Sequence, residues 1–282
     1  MNVLRLFDPW RGPLCTCPKK YSLHPYTGCS HFCLYCYATS YLGRKPSKPK
    51  NNFISRLLSD IKKADKRIPV ELSTSSDPYP PIEETLALTR RTLDILKRAG
   101  FKTLITTKGT GFTRDEGLFD ALMVTVTTLD KDIYSKMEPG APSPIKRLEA
   151  MNSIKTGKGI RVDPIIPLLN DDLGALREIL RIARDYGASH VVFSTYKVKP
   201  DNFKRMVEAF PELEKEWREL YFKEGYRIGG YRYLPAKIRR KILEPLVEEA
   251  TRLGMSAALC REGFQDLHRA KSCDGTHLIR ER

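Results

Sequence analysis

From residue 53 onward the sequence repeats one unit, an amphipathic helix followed by a short apolar strand, and this alternation limits the fold more than any other feature. The predicted helices are 53–64, 84–99, 114–122, 144–156 and 173–186. The predicted strands that follow them are 70–73, 102–106, 123–127, 160–166 and 190–193, with a sixth strand at Tyr21–Leu23. Strands joined through helices make right-handed crossovers and a parallel sheet. The sequence therefore predicts the α/β class.

Polar side chains occur at the ends of several of these strands. Ser76 lies in a turn after the second strand, Lys108 follows the third, and Thr125 lies in the fourth. Because barrels of parallel strands place their chemistry at the carboxyl ends of the strands, we expect these side chains to line one site. Hydroxyls and an ammonium group suit a zwitterionic ligand that carries a ribose. In the competing interpretation, each hydroxyl only bonds to the backbone of its own turn.

Three cysteines, Cys29, Cys33 and Cys36, lie within eight residues of an aromatic loop that also contains Tyr35 and Tyr37. Structural zinc sites and electron-transfer clusters are normally closed by four protein ligands. A cubane cluster held by three thiolates leaves one iron open to an exchangeable ligand. The alternative, half of a zinc finger, lacks a second cysteine pair with the required spacing nearby. The loop therefore indicates a reactive iron–sulfur cluster.

The four remaining cysteines lie near the two ends of the sequence. Cys15 and Cys17 are separated by one residue, whereas Cys260 and Cys273 follow the last predicted helix. Four thiolates that join the two ends would suit a structural zinc ion or a second iron–sulfur cluster. The alternative is that Cys260 is a buried small apolar residue and that the N-terminal pair is free.

The charge of the chain is strongly positive, with 49 Lys and Arg against 34 Asp and Glu, a formal net charge of +15. Such an excess favours a polyanionic partner, and we predict a nucleic acid, DNA or RNA. The stretch 225–233 interleaves arginine with tyrosine and glycine, as nucleic-acid-binding loops do. Two alternatives remain: thermophile proteins are also rich in charge, and these tyrosines can instead pack on the body of the protein.

The sequence shows no sign of a membrane partner. No run approaches the roughly 20 apolar residues of a membrane helix, and the first residues do not follow the basic-then-apolar pattern of a signal peptide. We therefore expect a cytoplasmic protein.

The spacing Cys-x3-Cys-x2-Cys, with an aromatic residue on either side of the last cysteine, resembles the signature of the radical S-adenosylmethionine (SAM) superfamily. Residues 21–193 resemble its spore photoproduct lyase-like group, often labelled DNA repair photolyases in archaea and bacteria. Further matching pieces are the turn 74–78, Lys108, the strand 125–127, the run 138–144 with Arg147, and the runs 164–167 and 170–171.

The resemblance implies a partial (β/α)6 barrel of the TIM type. We place the barrel at residues 21–198, after an N-terminal extension with cysteines at 1–20. A helical C-terminal extension at 199–282, with helices at 200–210, 211–223 and 235–253, ends in a cysteine-containing tail.

The resemblance also implies the chemistry. The three loop cysteines would hold a [4Fe–4S] cluster whose open iron chelates SAM, and an electron from the cluster would cleave SAM to a 5′-deoxyadenosyl radical. A donor such as flavodoxin or ferredoxin would supply the electron. Ser76 and Lys108 would contact the methionine end of SAM and Thr125 its ribose, while Tyr35 and Tyr37 would flank the cluster and the radical.

One position departs from the lyase pattern. The lyase has a cysteine where this chain has Thr74, and that cysteine returns a hydrogen atom to the repaired product. A threonine O–H bond is too strong to donate a hydrogen atom readily, so the reaction need not be photoproduct repair, and RNA modification competes with a DNA repair-like reaction. Two further alternatives are a radical SAM enzyme for a peptide or small metabolite, and a non-catalytic zinc-binding nucleic-acid module.

Overall fold

The computed structural model describes residues 2–7, 14–72 and 75–280. The strands of these ranges are β1 (Arg5–Leu6), β2 (Tyr21–Leu23), β3 (Tyr26–Thr27), β4 (Lys48–Pro49), β5 (Val70–Leu72), β6 (Thr103–Thr107), β7 (Ala121–Thr125), β8 (Gly157–Ile165), β9 (His190–Thr195), β10 (Tyr226–Ile228), β11 (Tyr231–Tyr233) and β12 (Ser256–Leu259). The α-helices are α1 (Thr39–Leu42), α2 (Phe53–Ile61), α3 (Glu83–Leu86), α4 (Leu88–Arg98), α5 (Lys131–Met137), α6 (Pro144–Asn152), α7 (Leu173–Asp185), α8 (Pro200–Ala209), α9 (Glu214–Arg218) and α10 (Ala236–Arg252).

Eight of these strands form one sheet, in the order β1, β2, β5, β6, β7, β8, β9, β12. Every neighbouring pair from β2 to β12 is parallel, and β1 is antiparallel to β2 at the edge. Within the described ranges β1 and β12 do not pair with each other, so the sheet is an open, partial barrel. The predicted α/β class and partial barrel are confirmed.

The pattern of apolar residues explains why this sheet is buried on both faces. Every residue of β5, β7 and β9 is buried, as expected for parallel strands covered by crossover helices. Helix α7 buries one stripe, Leu176, Ile179, Leu180 and Ala183, and exposes its charged residues. None of the described helices combines the length and the apolar character that crossing a bilayer requires.

The predicted helix 114–122 is wrong. Only a short 3-10 turn, Gly111–Thr113, precedes this stretch, and strand β7 already begins at Ala121. Gly117 has a φ of +83°, a left-handed conformation that an α-helix does not accept. The Arg114 side chain makes ion pairs with Glu83 and Asp115, which fixes the stretch as a loop against α3.

The predicted helix 84–99 is interrupted at Ala87, where φ is +47°. The buried Glu83 carboxylate causes the break, because it accepts the backbone N–H groups of Thr89 and Arg90 and so caps the new helix α4. A carboxylate at a helix N-terminus satisfies amides that would otherwise lack a partner. The predicted helix 211–223 is likewise composite: a 3-10 turn, α9 and a π-helical turn at Glu219–Lys223.

Strand β12 was not predicted from the sequence. Its residues include two alanines, which have weak β propensity, so the pattern does not indicate a strand. In the structure it lies parallel to β9 and extends the sheet beyond the six predicted strands. The last part of the chain therefore contributes to the barrel sheet, and the domain boundaries at 20/21 and 198/199 stay a prediction.

A buried ion triad joins the two ends of the described chain. The Lys20 ammonium lies 2.5 Å from the Glu71 carboxylate on β5 and 2.5 Å from the Asp274 carboxylate near the C-terminal end. All three side chains are at most 7% exposed. Buried charges are tolerated only when they are paired, so Lys20 fixes the tail to the sheet.

Replacing Lys20 with methionine should therefore destabilise the protein strongly. The Lys20→Met variant leaves two carboxylates buried without a cation, and removal of one partner of a buried ion pair costs about 3–5 kcal/mol. Urea denaturation under reducing conditions measures the free energy of unfolding. The exposed neighbour provides the control: Lys19→Met should change that free energy by less than about 0.5 kcal/mol. Equal effects of the two changes would contradict the role of the triad.

Candidate active site

A cavity of about 250 Å³ opens at the carboxyl ends of the parallel strands. It is lined by every cysteine of the chain: Cys15, Cys17, Cys29, Cys33, Cys36, Cys260 and Cys273. The other predicted site residues line it too: Tyr35, Tyr37, Ser76, Lys108 and Thr125. The structure thus brings all of the predicted site residues to one place, whereas the role assigned to each of them stays a prediction.

The cysteine loop is shaped by contacts with the segment 45–47. Gly28 has a φ of +72°, and a Cβ there would lie 2.4 Å from the Pro46 carbonyl oxygen, so only glycine fits. The Cys29 amide donates to the Lys45 carbonyl at 2.9 Å. Ser30 and Ser47 exchange two hydrogen bonds between backbone amides and side-chain hydroxyls, at 3.0 and 2.9 Å.

The other side of the loop rests on residues 137–140. The Leu34 amide donates to the Met137 carbonyl at 2.9 Å, and the Gly140 amide donates to the His31 carbonyl at 3.1 Å. A Cβ on Gly140 would lie only 2.0 Å from the Ser30 carbonyl oxygen. The backbone of this segment is therefore in direct contact with the loop, which explains a glycine at this position.

The buried Glu138 carboxylate connects the loop to the barrel. It accepts hydrogen bonds from the Tyr35 hydroxyl, from the Thr127 hydroxyl and from the Arg147 guanidinium. Arg147 is fully buried and also donates to the Thr125 carbonyl at 3.0 Å. Burial alone would raise the pKa of Glu138, but Arg147 and Lys108 outweigh it and hold that pKa below its usual value. The carboxylate is therefore charged and fully paired.

Asp77 organises the turn that carries Lys108. Its carboxylate accepts from the Thr107 hydroxyl and from the Lys108 amide, both at 2.7 Å, and lies 3.3 Å from His31 Nε2 in the loop. Burial would raise the pKa of Asp77, but His31 and these hydrogen bonds lower it to about 2. Ser76 beside it donates its hydroxyl to the Gly28 carbonyl at 2.6 Å.

Lys108 and Thr125 present polar groups to the cavity. Among the described residues, neither the Lys108 ammonium nor the Thr125 hydroxyl has a hydrogen-bond partner, and Lys108 Nζ lies 5.4 Å from the centre of the Tyr35 ring. Burial would lower the pKa of Lys108, but Cys33 and Glu138 raise it above its ordinary value. A cationic donor and a hydroxyl are therefore both available to a ligand in the cavity.

Helix α8 holds the loop from outside the barrel, which the sequence did not predict. The Asn202 amide group donates to the Tyr35 carbonyl at 3.0 Å, and Arg205 donates to the carbonyls of Leu34 and Cys36 at 3.0 and 3.1 Å. No local pattern reveals such pairs, because the partners are separated by more than 160 residues. The C-terminal extension thus positions the backbone of the cysteine loop.

Tyrosines and an arginine line the wall near Tyr37. The Tyr37 ring meets the Tyr231 ring edge-on at 5.8 Å, and the Arg261 guanidinium lies 5.3 Å from the centre of Tyr37. Tyr231 and Tyr233, from the stretch that interleaves arginine and tyrosine, are only 4% and 3% exposed. These two tyrosines pack on the protein, as the second interpretation of that stretch expected.

The terminal cysteines form a second thiol group in the same cavity. The Cys17 and Cys273 sulfurs are 3.3 Å apart, and the neighbouring thiols lower the pKa of Cys17 below its ordinary value. In the described ranges, no three His, Cys, Asp or Glu side chains surround a position for a single metal ion. Thr74, the position at which we expect the sequence to depart from the lyase pattern, lies outside the described residues.

The chain shares sequence and fold with known proteins. A family model described as the radical SAM superfamily matches residues 23–183, more than half of the chain. An uncharacterized protein of Mycobacterium tuberculosis is 27% identical over 256 residues, which cover 82% of this chain and 74% of the relative. An uncharacterized protein of Methanocaldococcus jannaschii is 31% identical over 165 residues, which cover 54% of this chain and 62% of the relative.

Among solved structures, a spore photoproduct lyase variant with bound AdoMet and dinucleoside spore photoproduct matches with a TM-score of 0.66. The match has 15% sequence identity and covers 89% of this chain and 79% of that chain. The chain belongs to the radical SAM superfamily, and it is a radical SAM enzyme. At this identity, the similarity to spore photoproduct lyase extends to the fold alone.

Replacing Gly140 with alanine should displace the cysteine loop. The added methyl group would overlap the Ser30 carbonyl, and overpacking of this kind costs about 1–3 kcal/mol. We expect a lower free energy of unfolding in urea and faster amide hydrogen exchange in residues 28–37. Gly174→Ala is the control, because its Cβ would meet a side-chain oxygen of Asp172 at 3.2 Å rather than a backbone carbonyl at 2.0 Å. Unchanged exchange in the Gly140→Ala variant would refute the contact.

Proposed function

We propose that Cys29, Cys33 and Cys36 hold a [4Fe–4S] cluster and that SAM binds its open iron in the cavity at the strand ends. One observation carries the proposal: the three thiols line this cavity together with a lysine and a threonine that have no hydrogen-bond partner among the described residues. Thiolates are the usual ligands of iron–sulfur clusters. The residues present therefore fit the two cofactors of the superfamily.

When bound, the cluster and SAM supply a 5′-deoxyadenosyl radical that abstracts hydrogen from a substrate. An external reductant such as flavodoxin or ferredoxin provides the electron. The protein binds and orients the reactants and excludes water from them. Tyr35 and Tyr37 flank the last cysteine of the loop, and because both line the cavity, their rings would shield the bound cofactors from solvent.

Three polar residues hold SAM in this proposal. The Lys108 ammonium pairs with the carboxylate of the methionine moiety, and Thr125 donates its hydroxyl to the ribose. Ser76 already donates to the Gly28 carbonyl, so its oxygen is left to accept from the methionine ammonium. Asp77 fixes this arrangement, because it holds the backbone of the turn that carries Lys108.

We infer that the substrate is a nucleic acid. The formal net charge is +15, and solved structures of the related fold contain a dinucleoside photoproduct. Exposed Lys45 and Lys48 lie in the segment that is hydrogen-bonded to the cysteine loop, so they present positive charge beside the cavity. Because Thr74 cannot readily return a hydrogen atom, the reaction need not be photoproduct repair, and both a DNA repair-like reaction and RNA modification are compatible with this proposal.

The first test is SAM cleavage. After anaerobic reconstitution, the protein with dithionite and SAM should form 5′-deoxyadenosine, measured by liquid chromatography and mass spectrometry. Each of Cys29→Ala, Cys33→Ala and Cys36→Ala should lower the yield at least about 100-fold, because the cluster loses a ligand. Ser40→Ala, an exposed change beside the loop, should retain full yield. Full turnover in any of the cysteine variants would refute the assignment.

The second test concerns the nucleic acid. Fluorescence anisotropy with labelled DNA and RNA oligonucleotides, at several salt concentrations, should give a steep dependence of log Kd on log salt. The Lys45→Gln/Lys48→Gln variant should bind more weakly, and its salt slope should fall by about 1 for each lost phosphate contact.

Lys62→Gln/Lys66→Gln is the matched control, with the same loss of charge. Both lysines are exposed and precede β5, at the end of the sheet away from the cavity. The Lys62→Gln/Lys66→Gln variant should bind DNA and RNA like the unmodified protein. If both double variants weaken binding equally, the positive charge acts only as a diffuse field, and the proposed position of the nucleic acid is wrong.

A further inference from the structure

We propose that Cys15, Cys17, Cys260 and Cys273 hold a second iron–sulfur cluster, in the wall of the cavity that the first cluster shares. Nothing in the similarity to the superfamily assigns these four cysteines, because two of them precede and two of them follow the matched residues 23–183. The proposal therefore goes beyond the function proposed above and is independent of the substrate.

The first support is convergence from the two ends of the chain. Cys17 and Cys273 are 256 residues apart in sequence, yet their sulfurs are 3.3 Å apart in space. Cys15 is one residue away from Cys17 in sequence and lines the same cavity. The fold therefore brings together three thiols from two distant segments. Such proximity is not expected of free cysteines that share no role.

The fourth thiol, that of Cys260, is positioned by the sheet. Cys260 directly follows β12, and its amide donates to the Phe193 carbonyl at 2.9 Å, which continues the pairing of β12 with β9. Its side chain also lines the cavity. A backbone fixed by strand pairing gives this ligand a defined position at the carboxyl end of the barrel.

The surroundings compensate the charge of a thiolate cluster. Four thiolates with an oxidised cubane carry a net charge of about −2, which requires cations nearby. Lys20 lies beside this group with its ammonium 2.5 Å from Asp274, the residue after Cys273. Arg161 and Arg261 line the same cavity as the four thiols. Lys20 and Arg161 are already paired with carboxylates, so of these three Arg261 is the cation available to offset the charge of the cluster.

We assign an iron–sulfur cluster rather than zinc because the group shares one cavity with the three loop thiols. A cubane would move the Cys17 and Cys273 sulfurs apart from their 3.3 Å contact, around a body of several atoms. The thiols also face an open cavity rather than a closed core, as expected of a centre that exchanges electrons with a bound molecule.

The test is metal content and spectroscopy of the full chain. After anaerobic reconstitution and desalting, we expect about eight irons and eight sulfides per chain, and two reduced cluster signals by electron paramagnetic resonance. Added SAM should change one signal only. The Cys17→Ser/Cys273→Ser variant should lose about four irons and the signal that SAM leaves unchanged, and should still form 5′-deoxyadenosine from SAM in the absence of substrate.

Two controls separate this proposal from the proposed function. The Cys29→Ser/Cys33→Ser/Cys36→Ser variant should keep about four irons and the signal that is insensitive to SAM. Thr16→Ala, an exposed change between two of the ligands, should keep all eight. Circular dichroism and thermal denaturation confirm folding, and Cys260→Ser offers a second ligand variant if the double variant does not fold.

Three results of the metal analysis would overturn the proposal. They are about four irons without zinc in the unmodified protein, about four irons with one zinc, or an iron count that Cys17→Ser/Cys273→Ser and Cys260→Ser leave unchanged. A disulfide between Cys17 and Cys273, detected by mass spectrometry after alkylation, would overturn it as well. Failure of the loop cysteine variants to lose any iron would instead contradict the function proposed above.

Discussion

The buried Glu138 carboxylate is the interaction on which the geometry of this enzyme depends. It joins the Tyr35 hydroxyl of the cysteine loop, the Thr127 hydroxyl after β7 and the Arg147 guanidinium of α6. A charge without water around it needs several partners in fixed positions, and here each partner comes from a different element. The loop, the central strand and its crossover helix therefore cannot move independently, and the cavity keeps its shape.

Local sequence patterns predicted the strands and the site residues, because the residues that form each pattern lie within a short segment of the chain. Apolar runs predicted the six barrel strands, and polar residues at or after the ends of these strands predicted Ser76, Lys108 and Thr125 as site residues. The break at Ala87 escaped prediction, since it depends on the Glu83 carboxylate that caps α4. Helix propensity does not describe such a tertiary contact.

Long-range contacts account for the rest of what the sequence did not reveal. Asn202 and Arg205 look like ordinary polar residues of a surface helix, and only the fold brings them to the carbonyls of the cysteine loop. The alanines of β12 have weak β propensity, yet backbone pairing with β9 places them in a strand. The helical extension is therefore part of the frame of the site rather than an appendage.

The contact between Cys17 and Cys273 has a consequence for the order of assembly. The two thiols are separated by 256 residues, and a ribosome adds about 5–20 residues per second. Cys17 is therefore present in the nascent chain for about 10–50 s before Cys273 is added. Any centre that uses both thiols is completed only after residue 273 has been added, whereas the three cysteines of the loop are available long before then.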